Sequence, residues 1–218
     1  MGAGALLLLG VIAGCGSRDR SGIETRQGQA TVTPTFVQGS AATPSTPQTS
    51  VAVPITGAQA AGDLNVVFVG WADATTHTIG VTDARGNAYQ LAVGPTLRSN
   101  SSGAAAQSVY YAKNIGAAGA GTNSVTVAFS PAAQFADIRV LEYAGLDPAN
   151  PVDVSVASSG TNATSTSGSI TTTNATDLLV AGNELVTSTK AAGSGYTSRI
   201  LSPDGDIAED RVVTAPGS

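Results

Sequence analysis

Residues 123–129, Asn-Ser-Val-Thr-Val-Ala-Phe, decide the fold class, because apolar side chains and small or polar ones alternate strictly along them. The two valines and Phe129 fall on one face of an extended chain, and the serine, threonine and alanine fall on the other. This pattern predicts a β-strand with one face in a core and the other towards solvent.

The same kind of strand recurs along the chain. Residues 51–55 and 78–82 alternate in the same way, and Pro, Gly, Asn and Asp form turn signals between such runs. Residues 64–71 and 178–181 are apolar on both faces, which is typical of central strands covered on each side. Ser, Thr and Gly make up about a third of the 218 residues, which disfavours long helices. The sequence therefore predicts an all-β fold, a two-sheet antiparallel β-sandwich of jelly-roll-like topology.

The N-terminus carries a second kind of signal. Residues 5–13 form an apolar run that is too short for a membrane-spanning helix but matches the apolar region of a signal peptide. Ile12-Ala13-Gly14-Cys15 follows and resembles the lipobox of bacterial lipoproteins. That resemblance implies cleavage before Cys15 and a lipid on its sulfur. The segment departs from the usual pattern because residues 1–4 contain no Lys or Arg, and the alternative is a buried apolar segment with an incidental cysteine.

These observations predict the domain organisation. Residues 1–14 are a lipoprotein signal peptide, residues 15–29 a polar tether, and residues 30–218 the β-sandwich domain. The resemblance places the mature protein outside the cell, anchored by lipid to the outer surface of a bacterial membrane.

Four stretches in the domain carry a further resemblance, at residues 62–71, 109–115, 137–148 and 202–210. Together they resemble a β-sandwich module of large secreted and surface proteins of soil and gliding bacteria. The resemblance implies a fold and a location, and it implies no specific activity. Such modules end in a further apolar strand, so we expect the C-terminal strand of this domain to be missing.

Composition excludes several classes of protein. A net charge of -5 and a pI near 4.6 argue against nucleic-acid binding, which requires clustered Lys and Arg. One Cys and one His are too few for a zinc site of Cys and His ligands or for a disulfide framework.

Catalytic residues are scarce. A Ser-His-Asp triad would have to use His77, which we expect to be a solvated turn residue. Asp137 and Glu142 lie five residues apart on one predicted strand, so their side chains point to opposite faces and do not pair. A buried Glu142 would need a partner, for which Lys113 and Arg199 are the candidates.

The densest acidic stretch, residues 204–210, offers a candidate calcium site at Asp204, Asp206 and Asp210. The alternative is a solvated acidic turn paired with Arg199 or Arg211. If Ile207 points inward, Asp206 and Asp210 project outward. No other cofactor is expected.

Three residues are candidates for ligand binding: Trp71 and Tyr111, whose rings could stack on a sugar, and the carboxylate of Glu142. Core packing is the alternative for the rings. We therefore expect a lipid-anchored binding, adhesion or spacer module that is not an enzyme. Its candidate partners are the membrane, a polysaccharide or another surface protein. The alternative is a carbohydrate-active enzyme or a carbohydrate-binding accessory module that uses surface carboxylates and aromatic rings.

Overall fold

A computed structural model describes residues 5–13, 33–101 and 103–217. Every regular element in these residues is a β-strand, and none is a helix. The strands are β1 (Ala5–Ala13), β2 (Thr35–Ala42), β3 (Gln48–Ile55), β4 (Leu64–Trp71), β5 (Thr78–Asp83), β6 (Gln90–Asn100), β7 (Gly103–Ala112), β8 (Asn123–Ala133), β9 (Asp137–Ala144), β10 (Val152–Ser159), β11 (Asp177–Leu185), β12 (Thr197–Leu201) and β13 (Ile207–Val213).

The strands form three antiparallel sheets. The outer sheet has the order β10-β1-β11-β13-β12, the central sheet β2-β9-β4-β7-β6, and the small sheet β3-β8-β5. The prediction of an all-β antiparallel sandwich is confirmed. The number of sheets is three instead of two, because the central sheet is covered on both faces.

Strand β4 explains this layering. All eight of its residues are buried, and they divide between two cores. Val67, Val69 and Trp71 pack against the small sheet, while Val66 and Phe68 pack against the outer sheet. Apolar side chains on both faces of one strand can be buried only if a layer covers each face.

The small sheet shows the faces predicted for residues 123–129. Val125 and Val127 are fully buried and Phe129 is nearly so, whereas Ala128 on the other face is exposed. The core therefore lies where the alternation placed it.

The N-terminal apolar segment occupies an interior position in the outer sheet. Ala5–Ala13 pairs antiparallel with β10 on one side and β11 on the other, with Leu8 opposite both Ala157 and Gly182. In the structure this segment is therefore paired along both of its edges. Cys15 and the predicted tether at residues 15–29 lie outside the described residues.

Candidate functional site

A group of charged side chains lies in the interface between the central and outer sheets. Asp137 and Arg139 alternate with apolar residues on β9, and both point towards the outer sheet. The guanidinium Nε of Arg139 donates to Asp137 Oδ1 at 2.6 Å, and both side chains are fully buried. Arg139 Nη1 donates to the carbonyl oxygen of Ile207 at 2.6 Å, which ties β9 to the start of β13.

Two further carboxylates reach this place from the outer sheet. Glu184 on β11 and Asp206, one residue before β13, are 3 % and 1 % exposed. The backbone N–H of Leu185 donates to Asp206 Oδ1 at 2.7 Å, which fixes that carboxylate. The carboxylates of Asp137, Glu184 and Asp206 each offer an oxygen within 4.8 Å of the others. We call these three residues the carboxylate cluster.

Gly70 makes room for the carboxylate cluster. It lies opposite Asp137 in the central sheet, and a Cβ at this position would lie 1.8 Å from Glu184 Oε2. Any side chain here would displace the Glu184 carboxylate, so the cluster depends on glycine at this one point of β4.

Burial and mutual repulsion govern the charges in the carboxylate cluster. Burial, with the nearby charges of Asp206 and Asp137, raises the pKa of Glu184 well above its usual value. Burial also raises the pKa of Asp206 to about 7, although Arg139 opposes that shift. Burial opposes the charge of Arg139 as well, but the three carboxylates outweigh it and raise the pKa of the guanidinium. The group can therefore hold protons, or a cation in their place.

A second carboxyl pair lies on the opposite face of the central sheet. Glu142 on β9 is 1 % exposed, and its Oε2 accepts a hydrogen bond of 2.6 Å from Gln38 Nε2. Its other neighbour is Asp63, whose pKa is raised to about 6 by burial and by the hydrogen bond and charge of Glu142. The expected partners of Glu142 were wrong: Lys113 donates to the carbonyl oxygen of Ala149, and Arg199 pairs with Asp210.

The structure separates Asp137 from Glu142 as predicted, since the two side chains point to opposite faces of β9. Neither of them lines an open groove, because each side chain is at most 1 % exposed.

The three acidic candidates for calcium are not brought together. Asp204 is exposed, while Asp206 joins the carboxylate cluster and Asp210 forms an ion pair with Arg199 at 2.8 Å. Asp210 lies four positions after Asp206 along an extended chain, which places the two residues about 13 Å apart. The predicted outward direction of Asp206 and Asp210 is wrong: Ala208, which lies between them, packs into the core below the outer sheet.

The two aromatic candidates differ in exposure. Trp71 is 2 % exposed and packs edge-on against His77 and Phe129 in the core, so its ring offers no surface to a sugar. Tyr111 is half-buried, and its hydroxyl donates to Gln90 Oε1 at 2.6 Å.

His77 is buried, which makes the prediction of a solvated turn residue wrong. Its Nε2 lies 2.9 Å from Asp73 Oδ1, and its Nδ1 lies 2.9 Å from the carbonyl oxygen of Pro131. Both ring nitrogens have partners, so neither is free to activate a serine.

The sequence reasoning missed Glu184, Arg139 as a centre of charge, and Gln107. One sign pointed to Glu184: it shares the inward face of β11 with Leu178, Val180 and Gly182. A charged residue on a buried face needs a partner from elsewhere in the fold.

The outer surface carries a shallow depression of about 750 Å³ beside β11 and β13. It is lined mainly by small and polar residues of the stretches 162–165 and 187–194, with Lys190 and Glu209 as its charged groups. Its lining contains no aromatic ring.

No family model matches the chain, and no match was found among the curated proteins or the solved structures. The described residues contain no helix with the length and apolarity that a membrane span requires. Fold and site together define an antiparallel β-sandwich of three sheets with charged groups enclosed between two of them.

Proposed function

We propose that this chain is the precursor of an exported, lipid-anchored β-sandwich that serves as a binding, adhesion or spacer module without catalysis of its own. One observation carries the proposal: the apolar run of residues 5–13 leads directly into Ile12-Ala13-Gly14-Cys15, the only cysteine of the chain. Two or more acyl chains on Cys15 would hold the protein on a membrane, whereas a single chain gives only marginal binding.

The interior of the sandwich supports a role without catalysis. Glu184 and Glu142 are enclosed by sheets instead of lining a cleft. His77 has both nitrogens engaged. General acid or base chemistry requires such groups within reach of a substrate.

Cleavage before Cys15 has a structural consequence, because it removes the strand Ala5–Ala13. Strands β10 and β11 each pair with this strand, and without it they would stand about 9–10 Å apart, two strand spacings. The mature protein must then close this gap or fill it with another strand. Residues 5–13 can therefore be cleaved off as a signal segment or be retained as β1, but not both.

Metabolic labelling with radioactive palmitate tests the anchor. In a bacterial host, the full chain is expected to take up label and to fractionate with membranes. Cys15→Ala removes the acceptor sulfur and should abolish the label.

Ser21→Ala is the matched control, since it changes one small side chain of the same tether and should leave labelling intact. Labelling that persists in Cys15→Ala, or a wild-type chain without label, would contradict the proposal.

A further inference from the structure

We infer that Asp137, Glu184 and Asp206 bind one calcium ion between the central and outer sheets, with the side-chain amide oxygen of Gln107 as an additional ligand. This site is distinct from the acidic turn at residues 204–210, with which it shares only Asp206. It also does not depend on the lipid anchor.

The spacing of the oxygens suits a single ion. Calcium binds oxygen ligands at about 2.3–2.6 Å, so two ligands on opposite sides of it lie about 5 Å apart. The three carboxylates offer oxygens that all lie within 4.8 Å of one another. Asp137 Oδ2 is buried and has no hydrogen-bond partner among the described residues, which leaves it available as a ligand.

Gln107 provides the independent evidence for a ligand. Its side chain is fully buried, and neither its amide oxygen nor its amide nitrogen has a hydrogen-bond partner among the described residues. Gln107 lies opposite Gly70 on β7, and Gly70 in turn lies opposite Asp137 on β9. Residues paired in this way point to the same side of a sheet, so Gln107 faces the space that Gly70 leaves open beside Glu184.

A buried amide without a partner destabilises the folded state. A ligand in that space would give Gln107 the partner that it lacks among the described residues. The amide oxygen of Gln107 could coordinate a calcium ion there. Carboxylate and amide oxygens are the ligands that this ion prefers.

The charges also match a divalent ion. Three ionised carboxylates and the guanidinium of Arg139, which contacts two of them, together carry two net negative charges. Arg98 lies on the same face of the central sheet at β6 but forms no hydrogen bond with any of the carboxylates. Asp204, two residues before Asp206, lies outside the carboxylate cluster and is exposed. One Ca²⁺ would neutralise the two negative charges of this group.

The test uses the full chain, refolded in chelator and then titrated with CaCl₂. Equilibrium dialysis with radioactive calcium should find one ion bound per chain. Binding to the folded state alone should raise Tm by about 5–10 °C when calcium exceeds Kd a hundredfold.

Three variants locate the ion. Asp206→Asn should weaken binding at least tenfold and remove the rise in Tm, while Asp204→Asn, two residues away and exposed, should change neither. Gln107→Leu should leave Tm in chelator unchanged or higher, because it removes an unpartnered amide, yet should reduce the rise that calcium produces.

Gln107→Leu keeps the test decisive if Asp206→Asn fails to fold. The inference is overturned if wild-type protein binds no calcium and its Tm does not move. It is also overturned if Asp204→Asn loses binding while Asp206→Asn retains it, or if Gln107→Leu leaves the calcium-dependent rise unchanged.

Discussion

Arg139→Leu is expected to lower the free energy of unfolding by about 3–5 kcal/mol, because it leaves buried carboxylates without their cation. The guanidinium contacts Asp137 at 2.6 Å and Glu184 at 3.5 Å, and it also donates to a backbone carbonyl of the outer sheet. Leucine replaces part of the side-chain volume but none of these bonds. Urea unfolding at pH 7 in chelator, followed by circular dichroism, measures the loss.

Arg85→Leu is the matched control, since Arg85 is exposed. We expect its effect to stay within about 0.5 kcal/mol. A loss below about 1 kcal/mol for Arg139→Leu would mean that the bonds from the guanidinium to Asp137, Glu184 and the carbonyl oxygen of Ile207 contribute little to stability, which would contradict this prediction.

Trp71→Ala is expected to cost about 3–5 kcal/mol of stability, the range found when a large core side chain is deleted. The indole ring closes the core between the central and small sheets, and its edge contacts with His77 and Phe129 place their ring centroids 5.5 and 6.3 Å away. Chemical denaturation of the variant and the wild type gives the difference directly.

The aromatic control is Phe135→Ala, because the Phe135 side chain is 52 % exposed. Its removal should change stability by no more than about 1 kcal/mol. If Trp71→Ala behaved like this control, the ring would have to lie on the surface, where it could stack on a sugar, and the arrangement of that core would be incorrect.

The strands were largely predictable from the sequence, for a physical reason. In a half-buried strand, apolar and polar side chains alternate with a period of two residues. Residues 123–129 show this alternation without interruption. The apolar run at residues 64–71 also predicted coverage on both faces. The division into three sheets could not be predicted in the same way, because it depends on pairings such as that of β2 with β9, about a hundred residues apart.

The direction of Asp206 shows where such reasoning fails. Asp206 and Asp210 would project outward only if Ile207 pointed inward, but Ile207 lines the outer depression and Ala208 packs inward. Both faces of β13 are covered at this point. Ile207 is therefore only 4 % exposed, although it points away from the core between the central and outer sheets. When both faces are buried, apolar character does not identify the inward one.

The site was out of reach for a different reason. Its members come from β7, β9, β11 and the turn before β13, and no spacing along the chain connects them. Asp137 and Glu142 were correctly placed on opposite faces, since that follows from strand parity alone. Arg139, the partner of Asp137, lies two residues further along the same strand and so also follows from parity, whereas Gln38, the partner of Glu142, follows from the register of β2 with β9.

The intact mass of the protein extracted from membranes of a bacterial host distinguishes a lipid-anchored chain from one that keeps its N-terminal strand. We expect a chain that begins at Cys15, lacks Ala5–Ala13 and carries the added mass of acyl groups. A chain that retains residues 5–13 with an unmodified Cys15 would contradict it, and β1 would then remain as an interior strand of the outer sheet.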